Sequence, residues 1–193
     1  MYRIATRIFD LRGAFAALAL LGMVASHHAA ADQTDPALDY LFEELQSATS
    51  TAQAGPIDQE IWQRWTASGD PDLDILMRNG IRAMQSGQLA VAEAIFAEII
   101  SIRPKFAEAW NKRATVRYFA GNLAGSIADC GQVLALEARH YGALSGLGMI
   151  HLAMDDLAAA LQWFERAAIV NPHMAGIQDR ISTLRKELKG RQI

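Results

Sequence analysis

Cys130 is the only thiol in the chain. A cysteine reacts as its thiolate, so chemistry at Cys130 would need a positive neighbour or a helix N-terminus to lower its pKa. His140, His151 and His173 follow the N-terminal segment, and no two of them lie three or four residues apart on one helix face. With no Cys-x2-Cys and no His-Glu-x2-His, a zinc site has no ligand set. These histidines read as packed or solvated side chains. Arg113 and Asp129 are of opposite charge and suit an ion pair between neighbouring helices; catalysis would need a third polar partner, and none is evident. Asp155 and Asp156 stand without a second acidic cluster, and Asp156 suits a helix N-cap. Gly142-Ala-Leu-Ser-Gly146-Leu-Gly148 is rich in glycine but wrongly spaced for a phosphate cradle, and reads as close helix packing. Gly-x-Ser-x-Gly, P-loop and dinucleotide fingerprints are missing from the sequence. Tyr118 and Phe119 could stack on a base. Yet 18 basic against 21 acidic residues, a net charge of -3, gives no concentrated basic surface for nucleic acid. No metal, cofactor or catalytic group is therefore expected.

The elements that must position these residues can be read from composition and periodicity. Of the 193 residues 51% are hydrophobic and 20% charged, enough apolar material for one packed domain. The first 31 read differently. Arg3, Arg7 and Arg12 precede the apolar run Ala14 to Ala25, and Ala29, Ala30 and Ala31 form a small-residue exit. That is the tripartite pattern of a secretory signal, with cleavage expected between Ala31 and Asp32. A permanent anchor is the alternative, but a twelve-residue helix spans about 18 Å against a hydrocarbon core of about 30 Å. Such a leader, with a bare Ala-x-Ala exit, implies a bacterial envelope protein, periplasmic or secreted, with no stable membrane insertion after cleavage.

Beyond the leader the chain repeats every 34 residues. Leu76, Trp110 and Leu144 align, as do Gly80, Ala114 and Gly148; then Gly87, Gly121 and Asp155; Ala92, Ser126 and Ala160; Phe96, Cys130 and Phe164; Ile99, Val133 and Ala167; and Pro104, Ala138 and Pro172. Small residues at the second set let two helices approach closely. Gly87 and Gly121 suit the left-handed residue that ends a helix. Pro104 and Pro172 break the second helix of each unit. Cys130, aligned with two phenylalanines, belongs in the core of its unit, where a thiol is inert.

Leu144-x2-Leu147-Gly148, with Ala160-x3-Phe164-x2-Ala167 and Pro172, resembles the tetratricopeptide repeat, a helical hairpin of 34 residues. The resemblance implies an all-α solenoid of stacked antiparallel hairpins, with units at 73–106, 107–140 and 141–174. Asn79 and Arg113 stand where the pattern wants apolar residues, and Arg117 and His151 replace its usual aromatic. Residues 175–193 carry Ile177, Ile181, Leu184 and Leu188 on one helical stripe and would cap the exposed end of the array. Residues 32–72, with Leu38, Leu41, Phe42 and Leu45 and then Ile57, Ile61, Trp62 and Trp65, read as a degenerate hairpin capping the front.

The resemblance also implies a function, a non-catalytic scaffold or adaptor that binds a protein partner, as a peptide or helix, in the groove lined by the first helix of each unit. Those groove positions hold Met77, Ile81 and Met84 in the first unit. In the second they hold Glu108, Asn111, Thr115 and Tyr118, and in the third Ser145, Met149 and Leu152. Their apolar and amide character suits an apolar segment. Family members that grip a C-terminal carboxylate use cationic and amide side chains where this chain has Met77, Ile81, Lys112, Gly142 and Gly146. Only Lys112 suits that task, so a carboxylate clamp is not expected. A self-associating structural protein and an enzyme with an unrecognised site are the alternatives.

Overall fold

The structure is a computed structural model and describes residues 32–191. The expected signal lies outside the described residues. Among those residues every regular element is a helix: α1 (Ala37–Ser47), α2 (Thr51–Thr66), α3 (Pro71–Gln85), α4 (Leu89–Ile102), α5 (Ala107–Phe119), α6 (Leu123–Leu136), α7 (Tyr141–Ala153), α8 (Leu157–Val170) and α9 (Ile177–Gly190). Helices α3–α4, α5–α6 and α7–α8 are the three repeat hairpins of a solenoid. No described helix is long and apolar enough to cross a membrane.

Local chemistry sets the helix ends. Asp70 caps α3 by accepting from the Asp72 and Leu73 amides, with Pro71 pre-set in the first helical position. Asn122, His140 and Asp156 cap α6, α7 and α8 by accepting from Gly125, Ala143 and Ala159. Gly87, Gly121 and Asp155 all take positive φ, so the aligned turn keeps its left-handed residue even where the third unit has no glycine.

Each hairpin closes by setting an aromatic ring on a residue without bulk. A Cβ added to Gly80 would lie 2.7 Å from the Phe96 ring, and one added to Gly148 would lie 2.7 Å from the Phe164 ring. The second unit breaks this rule, with Ala114 opposite Cys130. Helix α9 buries Ile177, Ile181 and Leu184 against the third hairpin, as its apolar stripe predicts.

The front hairpin behaves differently from expectation. Helices α1 and α2 do not stack ahead of α3 as a further repeat. They lie across the second and third units, at the inter-unit turns and the N-terminal ends of α5 and α7. Their cluster of Leu38, Leu41, Phe42, Leu45, Ile61 and Trp65 packs with Tyr141, Val170 and Met174. The Tyr141 hydroxyl and the Asn171 amide both donate to Asp58 at 2.8 Å. His173 Nε2 donates to the Ala48 carbonyl at 2.9 Å, and Arg139 Nη1 to Asp39 at 2.7 Å. Only the far end of α2 returns to the first unit, where Arg103 donates to the Ser68 carbonyl and Ser68 Oγ donates to Asp74 at 2.6 Å. The reason lies in α2 itself. Trp62 and Trp65 need apolar seats, and Gly142 together with the flat ring of His140 offers them.

Candidate functional site

The inner face is made by α3, α5 and α7, and α2 divides it into a covered and an open part. On the covered side, Trp65 stacks on His140 with ring centroids 4.0 Å apart. Trp62 sits over Gly142, where an added Cβ would lie 2.6 Å from its ring. Lys112 Nζ lies 5.4 Å from the Trp62 ring centroid and 2.8 Å from Glu108 Oε1.

Glu108 is fully buried here, and His140 with it. His140 Nδ1 accepts from the Ala143 amide, so the ring proton resides on Nε2, which donates to Glu108 Oε2 at 3.0 Å. Asn111 Nδ2 donates to the same oxygen at 2.9 Å. Burial pushes the Glu108 carboxyl up, but the Lys112 ammonium and the His140 bond outweigh it and hold the group down at about 2. A carboxyl held below its ordinary 4.5 contributes stability that is fully present above that value and lost as pH falls toward about 2. Glu108→Gln is therefore expected to melt less steeply with acid between pH 5 and 3 than wild type. Circular dichroism melts across that range check this, and an unchanged slope refutes it.

Two expected groove positions are thereby corrected. Glu108 is not a free ligand for a partner, because α2 covers it and its charge is spent on Lys112 and His140. Met77 is 1% exposed and belongs to the core between α3 and α4 rather than to an accessible surface. Ile81 and Met84 are half-buried and pack on that same core. Asn111 is also buried, by its bond to Glu108. The Ser145 hydroxyl is turned back on its own helix, donating to the Gly142 carbonyl at 3.0 Å. Leu152 faces α9, beside Arg180 and Leu184.

The open part remains, and Thr115, Tyr118 and Met149 belong to it. Together with Asn111, Ala114, Phe119, Ser126, Cys130, Gly142, Gly146 and Ile150 they enclose a cavity of about 240 Å³ between α5, α6 and α7. Thr115 Oγ1 donates to the Asn111 carbonyl and Ser126 Oγ to the Ala114 carbonyl, so both hydroxyls are satisfied by backbone and the walls act as apolar ones. Cys130 is on the floor. It is buried as expected, and burial, with the Asp129 charge second, pushes its thiol up to about 12. That is the wrong direction for a nucleophile. Behind the cavity wall Arg113 grips Asp129 through Nε at 2.9 Å and Nη2 at 2.8 Å, the expected pair. Arg117 joins it, with Nη1 on Asp129 at 3.0 Å and Nε on Glu93 at 2.7 Å. The arginine that replaces the usual aromatic thus ties the first hairpin to the second.

Sequence reasoning missed both the cover and the cavity. The signals were present. Trp62 and Trp65 have no counterpart at the repeat spacing, and unit two alone has cysteine where the others have phenylalanine.

No family model matches this chain. A TPR repeat-containing protein of Rhizobium etli is 32% identical over 153 residues, which are 79% of this chain and 75% of that protein. Tetratricopeptide repeat protein 36 of Mus musculus is 35% identical over 95 residues, 46% of this chain and 50% of that protein. Among solved structures, the first TPR of Spaghetti bound to an HSP90 peptide aligns with TM-score 0.57 at 19% identity, covering 61% of this chain and 93% of that one. The MamA structure aligns with TM-score 0.57 at 16% identity over 74% of this chain and 81% of that one.

Proposed function

The chain belongs to the tetratricopeptide repeat family, and from that premise we propose that it is a non-catalytic interaction module of the bacterial cell envelope. Its partner is a protein segment, a peptide or helix, held on the open part of the face made by α3, α5 and α7. The observation that carries this reading is the uncovered apolar surface at Tyr118, Phe119, Met149 and the cavity between them. A peptide as occupant is supported by the likeness to a domain bound to an HSP90 peptide. The chemistry of recognition is different here. Ile81, Gly142 and Gly146 offer no cation for a terminal carboxylate, and Lys112 is engaged by Glu108. Export is supported by the basic start, apolar run and small-residue exit of residues 1–31.

A photo-cross-linking side chain at position 118 tests the face, with one at the exposed position 162 of α8 as control. Position 118 is expected to yield a cross-linked protein in the envelope fraction and position 162 none. Cross-linking to a second copy of this chain from position 118 would favour self-association instead. Recovery of the protein solely from the cytoplasmic fraction would remove the envelope from the proposal.

A further inference from the structure

Three of the four glycines in the first helices carry an aromatic ring of the chain itself. Phe96 covers Gly80, Phe164 covers Gly148, and Trp62 covers Gly142, each within 2.7 Å of where a Cβ would stand. Gly146 is the fourth. It lies one helical turn beyond Gly142 on α7, and its nearest neighbour is Cys130 Sγ, at 3.8 Å from an added Cβ. The ring that would fill this space is the phenylalanine that the second unit lacks, since Cys130 stands where the other units have Phe96 and Phe164. The result is the cavity of about 240 Å³. An apolar cavity of about 150 Å³ already holds a benzene ring.

We propose that this cavity is the seat for an aromatic side chain of the partner segment. The cavity continues the interface that α2 already occupies, because Gly142 is at once the seat of Trp62 and a wall of the cavity. A segment entering beside α2 therefore meets the same kind of seat one turn further on. The mouth suits a ring as well. Tyr118 and Phe119 stand there edge to face, centroids 5.6 Å apart, and Phe119 is 62% exposed. Aromatic rings prefer such edge and offset arrangements. No charged side chain lines the cavity, and its hydroxyls at Thr115 and Ser126 are satisfied, so an uncharged ring loses no partner on entering.

The proposal rests on reading this face as a protein-binding one, and its test is separable from that reading. The probes are indole, N-acetyl-L-tryptophanamide and N-acetyl-L-leucinamide, titrated into the isotopically labelled protein and followed by amide NMR shifts. Indole and the tryptophan amide are expected to shift Gly146, Cys130 and Tyr118 saturably, the leucine amide at least tenfold more weakly. Cys130→Phe restores the ring found in the other two units and is expected to weaken both aromatic probes at least tenfold. Gly146→Val, which adds bulk where a Cβ meets only ordinary contacts, is expected to do the same and serves if Cys130→Phe does not fold. Absence of saturable shifts at these residues, or unchanged affinity in both variants, overturns the seat. Equal binding of the leucine amide overturns its aromatic character, and binding of indole without the tryptophan amide overturns a side chain as the occupant. Cross-linking from position 118 without ring binding removes the seat while the binding face stands.

Discussion

Asp129→Ala is expected to destabilise the protein by about 3–5 kcal/mol, the cost of breaking a buried pair by removing one partner. Asp129 is 2% exposed and receives three hydrogen bonds, two from Arg113 and one from Arg117. Its loss leaves two guanidinium groups half-buried between α5 and α6. Arg117 keeps Glu93 as a partner, whereas Arg113 keeps only the face of Trp110, whose ring centroid lies 4.8 Å from its Cζ. The damage therefore falls mainly on Arg113. Urea unfolding of Asp129→Ala, Arg113→Ala and the double variant forms a cycle that isolates the pair. The two single losses are expected to exceed the double loss by more than 1 kcal/mol, the scale of coupling in one charged network. Strict additivity would show that the geometry carries no energy.

Trp65→Ala has an effect of similar size for a different reason. Its side chain is 1% exposed and lies against Phe42, Trp62, His140 and Tyr141. Truncating a buried tryptophan costs about 3–5 kcal/mol through lost contacts and the cavity left behind. The helices of the repeats do not depend on Trp65, so the loss is expected to appear first as release of the front hairpin. Hydrogen exchange of α1 and α2 should rise toward that of an unfolded segment while the amides of α4 and α6 stay protected. A single cooperative loss of protection across all helices would place the hairpin inside the same folding unit as the repeats.

The six repeat helices were legible because their packing positions recur. A small residue at Gly80, Ala114 or Gly148 and its partner 16 residues later are constrained by the same hairpin three times over, which raises the pattern above chance. Burial of Cys130, the Arg113–Asp129 pair and the Asp156 cap followed from position within that unit. The docking of α2 could not follow, because it rests on single long-range meetings: Trp62 on Gly142, Asp58 under Tyr141 and Asn171, His173 on the Ala48 carbonyl. None of these repeats, and each joins residues that are far apart in the chain. Placing Met77 and Glu108 in the groove failed accordingly. Their register on the helix was right, but what lies over Glu108 is set by a segment outside the period, and Met77 faces the core of its own unit.

The central claim is that a partner binds the part of the inner face that α2 leaves open. It is tested most directly by the affinity of the cross-linked partner for wild type, Tyr118→Ala and Gln162→Ala. Truncating a central aromatic anchor costs about 2 kcal/mol or more, roughly thirtyfold in Kd. Tyr118→Ala is therefore expected to bind at least thirtyfold more weakly with helical content and Tm unchanged, and Gln162→Ala, on exposed α8, to bind as wild type does. Equal affinity for Tyr118→Ala, or a loss confined to Gln162→Ala, would contradict it.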